Sequence, residues 1–573
     1  MNQNNTAVNL SKMHEFLEKN QLDAMFINDT DRYLNEYVPR DQAHYYLLTQ
    51  FSGSTCKLLI TKHHKARLYV DGRYHQQAEH ECDLDQVEVV KCPQTISIFH
   101  KLLEDLNQLN IKKLGVDGQR TSVMEEENII QNAKCDVSYF DQDELVEVIP
   151  LSKSGLLKPL KHLEVKVCGS DPLSKARSLI NEGEMYLVSA LDSIAWVTNA
   201  RGFHQPFQST FFARCILTYN KIYVFNIDEQ AYETNFAEPI VFKHISVNQW
   251  ADNIKAIASK LQPSKVYYDK ECLTGADYRI LRDIFAREQL SAPKERIILK
   301  QSIKNDNEIE VLKRNFQKSS QVVAETIRQI KRAVKENKKL LEKDLYDMTN
   351  ENYKRMGAID LSFNTIAAVG ANASIVHYGK ASDQVMIKNG DMLLLDSGAI
   401  YEEGYATDKT RTFLVGELKD PKLKKIYTLV LKGLLNAQNA IVPEGTLGAA
   451  IDILARNPIL QHGYNYLHGT GHGIGINTHE GGIAFSFKNN MPIKMGQVVS
   501  IEPGIYIAGY GGVRLENVVV VEKNPSIEGT LRFRPLVNIG FDHDLIDFNL
   551  LTKEEQKYLE VYEAECEKQK TLI

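Results

Sequence analysis

The reading turns on LLLDSGA at 393–399, followed by ATDKTRTF at 406–413. Three leucines running into Asp396 predict a buried strand that closes on a carboxylate. Asp408 opens the next apolar run, and Gly398 and Gly404 lie in the connection. A strand–turn–strand unit of this kind brings both carboxylates to one sheet edge. Aspartates at strand ends usually do no more than terminate turns. Three strings downstream change that reading: HGTGHGIG at 468–475, SIEPG at 500–504 and VRLENVVVV at 513–521. They add His472, Glu502 and Glu516. Four ionised carboxylates carry the charge that balances two divalent cations. Oxygen-rich ligands with a single nitrogen suit Mn²⁺, Co²⁺ or Zn²⁺ and argue against a thiolate-type structural zinc. Two such ions lower the pKa of a water and clamp the reacting oxygens of a substrate, so the chemistry indicated is hydrolysis.

The residues around these five define their settings. Four glycines in HGTGHGIG let the backbone turn sharply and bring an imidazole close to a metal. The Lys and Ser/Thr of a phosphate-binding loop are missing there, which sets a nucleotide reading aside. Glu502 follows the strand QVVSI and precedes Pro503–Gly504. Glu516 is expected within one continuous strand, two residues from Arg514 and therefore on the same face. An ion pair with Arg514 is the structural alternative for it, compatible with Arg514 orienting metal ligands. His377 in ASIVHYG, His468 at the head of HGTGH and His479 in NTHEGG would each, taken alone, read as structural.

Upstream, one α/β plan occurs twice. DAMFI, TCKLLIT, ARLYVDGRY, a helix around ISIFHKLLEDLNQL and KKLGVD make the first copy. EMYLVSAL, FARCILT, KIYVFNID, a helix around VNQWADNIKAIASKL and KVYYD make the second. The same elements recur in the same order. The split falls near Pro150–Gly155, giving domains at 1–152, 153–301 and 302–573. The third opens with a long helix capped by Asn305 or Asp306, with Ile309, Leu312, Phe316, Val323, Ile327, Ile330 and Val334 as its apolar stripe. The charged helical tail NLLTKEEQKYLEVYEAECEKQK reads as a solvated face.

At 573 residues the chain is too long for one core. A net charge of −6 gives no electrostatic reason for nucleic acid or an anionic membrane as partner. The N-terminal residues show no secretion-type apolar region, and no run is long enough to span a bilayer. Eight scattered cysteines without a CxxC pair read as free thiols in a reducing compartment, so a cytoplasmic location is expected.

Taken together, the strings from about Ser302 onward resemble the catalytic domain of the pita-bread metallopeptidases, the group of aminopeptidase P, prolidase and methionine aminopeptidase. The whole chain is most similar to the three-domain, soluble Xaa-Pro aminopeptidase type. That resemblance implies an α/β (α+β) fold of two related N-terminal domains followed by a pita-bread catalytic domain. It implies two divalent ions, Mn²⁺ first, held by Asp396, Asp408, His472, Glu502 and Glu516, with Glu502 also serving as general base. It implies that His377 and His479 contact substrate near the scissile carbonyl, that His468 shapes the pocket and that Arg514 supports the ligands. The substrates implied are peptides with proline second, and the assembly a homodimer. The twelve-residue interval from Asp396 to Asp408 is one longer than usual in related aminopeptidases. Prolidase, which cuts X-Pro dipeptides, is the nearest alternative, since the metal strings do not separate the two. A non-catalytic pita-bread binding protein fits less well, because relatives of that kind have lost ligands that are all present here.

Overall fold

The computed structural model describes residues 3–155, 157–228 and 230–573. Met1 and Asn2, at the head of the first expected domain, lie outside the described residues. The chain forms two compact units.

The first unit comprises the described residues up to His162 together with Ser170–Gln205 and Thr210–Ile297. Its first sheet contains β1 (Ala24–Asn28), β2 (Lys57–Thr61), β3 (Ala66–Val70), β4 (Val87–Lys91), β5 (Lys113–Asp117) and β6 (Asp136–Phe140). Its second contains β7 (Glu184–Val188), β8 (Arg214–Thr218), β9 (Ile222–Asn226), β10 (Ile240–His244), β11 (Lys265–Tyr268) and β12 (Leu290–Ser291). The orders are β4-β3-β2-β1-β5-β6 and β10-β9-β8-β7-β11-β12. Parallel and antiparallel pairings also repeat position by position. The duplicated plan of the sequence is therefore a duplicated topology.

Burial explains why the central strands are continuous apolar runs and not alternating ones. Alternate residues of β1 feed two separate cores, Met25 and Ile27 on one face, Ala24 and Phe26 on the other. The two copies meet at equivalent places. Ser122 and Thr274 each cap the helix that follows the fifth strand of their copy. They also face each other in an antiparallel bridge. Val123 N–H donates to Leu273 O at 2.9 Å and Gly275 N–H to Thr121 O at 2.9 Å. Like segments exchanging like hydrogen bonds is the pattern of a two-fold interface, here within one chain.

The second unit holds Ile298–Ile573, joined by Leu163–Gly169 and Pro206–Ser209. These two short segments fall inside the expected second domain yet pack with the catalytic one. Asn305 Nδ2 donates to Cys168 O at 2.9 Å, and Ser209 Oγ to Gly404 O at 2.6 Å. The long helix runs Asp306–Lys335 with Asn305 as its cap. Leu312, Phe316, Val323, Ile327 and Ile330 are buried as expected, whereas Ile309 and Val334 are only half-buried. A 3.6-residue period drifts away from a fixed stripe, so the ends of a thirty-residue helix rotate off the core.

A three-stranded antiparallel sheet carries β13 (Ile366–Val369), β14 (Asp391–Ser397) and β15 (Lys409–Val415) in that order. A larger one carries β16 (Val442–Pro443), β17 (Gly471–Gly473), β18 (Glu480–Phe485), β19 (Val498–Ile501), β22 (Asn517–Lys523) and β23 (Thr530–Pro535). A hairpin of β20 (Gly504–Ile507) and β21 (Gly511–Arg514) stands between β19 and β22 in sequence. VRLENVVVV is thus two strands: β21 pairs with β20, β22 pairs with β19, and Glu516 sits in the break. The tail helix Lys553–Lys568 is docked as well as solvated, burying Leu559, Tyr562 and Cys566. Among the described residues no helix is long and apolar enough to cross a membrane.

Arg411 ties these parts together. It is fully buried and donates to Glu516 O at 2.6 Å, Asn517 Oδ1 at 2.8 Å, Ile539 O at 2.7 Å and Tyr562 Oη at 2.9 Å. Removing it strands several buried acceptors. Arg411→Met is expected to destabilise this unit by ~3–5 kcal/mol. Denaturant unfolding reads this, and an unchanged midpoint would contradict the role.

Candidate metal centre

The five candidate ligands come from five places in the sequence of the second unit. Asp396, the penultimate residue of β14, lies opposite Thr410 of β15 in the ladder, and Asp408 stands one residue before β15. His472 lies in β17, where Gly471 is obligatory: a Cβ there would sit 1.8 Å from Ser500 O. Glu502 follows β19. Glu516 is aimed by the break between β21 and β22, with its own N–H donating to Thr410 O at 3.1 Å.

One donor atom each from Asp408, His472 and Glu516 lies within 4.8 Å of the others. His472 Nε2 is 3.5 Å from Asp408 Oδ2 and 3.4 Å from Glu502 Oε1. His472 Nδ1 faces Gly473 O at 3.2 Å, so a cation taken up at Nε2 would leave the ring proton on Nδ1. Asp396 Oδ1, Asp408 Oδ1 and Glu516 Oε1 are buried without a hydrogen-bond partner among the described residues. Buried anionic oxygens left unpaired are costly. Three of them, in a set whose imidazole Nε2 faces Asp408 and Glu502, are donors that divalent cations would satisfy.

The electrostatics say the same. Burial pushes Asp396 up to about 6, with Arg514 opposing and Asp408 adding to the rise. Burial likewise pushes Glu502 up to about 7, against the pull of His472 and Arg514. Glu516 is driven well above the usual carboxylate range by burial and by its acidic neighbours. Burial alone would lower His472, but Asp408 and Glu502 outweigh it and hold the imidazole at about 9.

Arg514 is arranged otherwise than its two-residue spacing from Glu516 suggests. It donates from Nη2 to Asp396 Oδ2 at 2.7 Å and from Nε to Thr410 Oγ1 at 3.2 Å. Thr410 in turn donates to Glu516 Oε2 at 2.8 Å. The strand break between the two residues turns them apart, so Arg514 reaches Glu516 only through Thr410. Arg514 Nη1 also donates to Tyr506 Oη at 2.9 Å, and that hydroxyl lies 2.9 Å from His468 Nε2. His468 thus joins the cluster through Tyr506. The His479 ring meets that of His472 edge to face, 4.4 Å between centroids. His377 stands beyond a short 3₁₀ turn, Gly370–Ser374, and its neighbour Val376 accepts from Arg514 Nη1 at 3.3 Å.

Sequence reasoning missed Thr410, Tyr506 and Lys409. Alternation along β15 could have found Thr410, two residues from Asp408 and facing the same way. Lys409 points to the opposite side, where its ammonium donates to Ser319 Oγ, Tyr353 Oη at 2.8 Å and Ser397 O at 2.9 Å. No local signal distinguishes that lysine from an exposed strand residue. Burial lowers it to about 7 even though Asp408 and Glu516 pull the other way.

With this geometry in place, comparison with known proteins is informative. Residues 314–523 match the model of metallopeptidase family M24. Residues 9–149 and 154–308 each match a creatinase/prolidase N-terminal domain. The probable Xaa-Pro aminopeptidase P of Botryotinia fuckeliana is 29% identical, aligned over 98% of this chain and 89% of that one. The protein of the same name from Laccaria bicolor is 28% identical over 98% and 90%. The crystal structure of X-prolyl aminopeptidase from Caenorhabditis elegans, described as a cytosolic enzyme with a di-nuclear active site, superposes with a TM-score of 0.88 at 22% identity, covering 98% and 96%. The chain carries an M24 metallopeptidase domain of pita-bread type, preceded by two creatinase/prolidase N-terminal domains. Within that class its full-length likeness is to the Xaa-Pro aminopeptidases P.

Chelation tests the cluster without reference to substrate. Acids with a higher pKa folded than unfolded take up protons on folding. Their stabilisation therefore fades as pH rises from their ordinary values of 3.8 and 4.5 through about 6 and about 7. That of His472 is present below its ordinary 6.5 and fades as pH rises through about 9. The melting temperature of chelated protein should therefore fall as pH is raised across this window, and added Mn²⁺ should flatten the slope. A chelated protein whose melting is indifferent to pH there would contradict the arrangement.

Proposed function

We propose that this chain is a dinuclear-metal aminopeptidase that removes the N-terminal residue of peptides whose second residue is proline. The observation that carries the reading is the grouping of Asp408, His472 and Glu516 donor atoms within 4.8 Å, with buried oxygens of Asp396, Asp408 and Glu516 left without a hydrogen-bond partner among the described residues. Asp396, Asp408, His472, Glu502 and Glu516 would hold the two ions. Mn²⁺ is the proposed metal, with Co²⁺ or Zn²⁺ as substitutes for the same donor set. Two such ions, when bound, supply Lewis acidity and a water acidic enough to attack at neutral pH.

The remaining work belongs to the side chains. Glu502 accepts the proton of the attacking water at its carboxylate. The proline nitrogen is a tertiary amide and leaves only if protonated, so Glu502 is the proposed carrier. His377 donates a hydrogen bond to the scissile carbonyl oxygen as charge develops there. His479, packed against His472, lines the pocket for the second residue. His468 fixes the pocket wall through Tyr506. Arg514 holds Asp396 directly and Glu516 through Thr410, keeping both ligands in place when substrate enters.

The boundaries 1–152, 153–301 and 302–573 are proposed for the three domains, the first two shaping access of peptides. A cytoplasmic location is supported by eight cysteines that form no disulfide among the described residues. A homodimer is supported by the exposed Ile453, Leu454, Leu460 and Leu467 on and beside the helix Gly448–Leu460.

Matched peptides test the specificity. Arg-Pro-Pro should exceed Arg-Ala-Pro by at least ~10-fold in kcat/KM, or about 1.4 kcal/mol, within reach of one filled apolar pocket. Cleavage of the dipeptide Arg-Pro alone would make the enzyme a prolidase, and equal cleavage of the alanine peptide would refute proline selection. His377→Ala should lower kcat by roughly 10²-fold with metal content retained. Near-normal turnover would remove His377 from the mechanism.

A further inference from the structure

His377 lies on an irregular segment, so something must hold it still. From Val369, at the end of β13, the chain leaves the sheet, forms the 3₁₀ turn Gly370–Ser374, passes His377 and Tyr378, and returns by Ser382. Both ends of this excursion converge on one side chain. Glu342, the first residue of the helix Glu342–Arg355, is fully buried. Its Oε1 accepts from Val369 N–H at 2.7 Å, and its Oε2 from Ser382 N–H at 2.7 Å. Tyr378 Oη, next to His377, donates to Oε2 at 2.8 Å. Asn372 Nδ2 donates to both oxygens, at 3.0 and 3.2 Å. The carboxylate is a clasp: two backbone donors close the loop and two side-chain donors fix its interior.

A carboxylate is suited to this task and an amide is not. It presents about four acceptor sites and no donor, and every group facing it here is a donor. The backbone of Glu342 adds to the hold, since its own N–H donates to Val385 O at 2.8 Å. On the far side the excursion rests on β21. A Cβ at Gly512 would stand 2.0 Å from Ala373 O, so only glycine permits that approach. Val376 meets Arg514 there. The loop is thus pinned between the Glu342 carboxylate and the strand that carries Arg514, with His377 at the middle of the span.

We propose that Glu342 is the positioning residue for His377: it touches no reacting atom and acts by fixing the loop that presents the imidazole to the substrate carbonyl. This rests on the role proposed above for His377. A displacement of about 1 Å in a reacting group can cost up to ~10²-fold in rate, which sets the scale of the effect.

Glu342→Gln keeps the size of the side chain and turns one acceptor into a donor that faces donors. Tyr378→Phe removes a single bond to the carboxylate at a half-buried site and serves as the milder variant. Four enzymes are compared with His377→Ala in turnover on Arg-Pro-Pro: the parent, the two variants, and Glu342→Gln combined with His377→Ala. Amide exchange is followed over residues 369–382. Glu342→Gln is expected to lower kcat by ~10-fold or more with KM and metal content little changed. Tyr378→Phe should show a smaller loss of the same kind. The loop should exchange at least ~10-fold faster while β14 and β15 keep their protection. The double variant should be no slower than His377→Ala alone, because the clasp has nothing left to position. A merely structural Glu342 would instead lower the melting temperature and multiply with His377→Ala. An impaired His377→Ala beside normal turnover in both Glu342→Gln and Tyr378→Phe, or multiplying losses in the double variant, overturns this inference alone. Full turnover in His377→Ala overturns the role of His377 and this inference with it.

Discussion

Like charges crowded out of water are the constraint around which the catalytic unit is built. Asp408 and Glu516 each place an oxygen within 4.8 Å of the other and of His472. Two carboxylates at that range repel by about 3–4 kcal/mol at an effective dielectric of ~20, and Asp396 and Glu502 add to the strain. No fold gathers such groups for stability. The arrangement holds because each ligand comes from backbone that is fixed for independent reasons. Asp396 and Asp408 are set by a ladder whose register places Asp396 opposite Thr410, and Glu516 by a strand that must break in order to change partners. Repulsion in the folded chain is then free energy released when cations bind.

The buried cations divide the remaining work. Arg514 neutralises Asp396 and, through Thr410, steadies Glu516. Arg411, on the strand that Asp408 opens, donates to carbonyls, an amide and a hydroxyl that join β15 to β22 and the tail helix. Lys409 between them turns away into three oxygen acceptors. Three consecutive roles in the string DKTR thus follow from strand alternation: ligand at Asp408, structural ammonium at Lys409, ligand support at Thr410. A planar five-donor guanidinium suits the crowded acceptors at Arg411 and Arg514, and the compact ammonium suits the narrow pocket at Lys409.

The first unit obeys a different logic. Its two sheets repeat strand order and sense, and its copies meet through the paired caps Ser122 and Thr274. A duplicated module can pack on its own copy with equivalent residues exchanging bonds, as identical subunits do. Among the described residues the group that could hold a metal ion, Asp408, His472 and Glu516, lies in the second unit.

The sequence by itself determined much of this protein. LLLD, ATDKTRTF, HGTGHGIG, SIEPG and VRLEN hold the five candidate ligands, of which the structure groups Asp408, His472 and Glu516 with Glu502 beside them, because glycine-rich turns and carboxylates next to strands are local features. The duplication was legible because each strand and helix recurs in order, and the cap at Asn305 because capping depends on a few adjacent residues. Only the tertiary structure decided that Glu516 sits in a strand break, that Arg514 belongs to Asp396, that the tail helix is docked through Tyr562, and that Leu163–Gly169 packs with the catalytic unit. It alone revealed Glu342, which is 35 residues from His377 and looks in sequence like any acidic residue in a first helical turn. Local strings encode which groups can do chemistry. Which oxygen faces which donor depends on where distant segments cross, and that is fixed by packing and register over the whole unit.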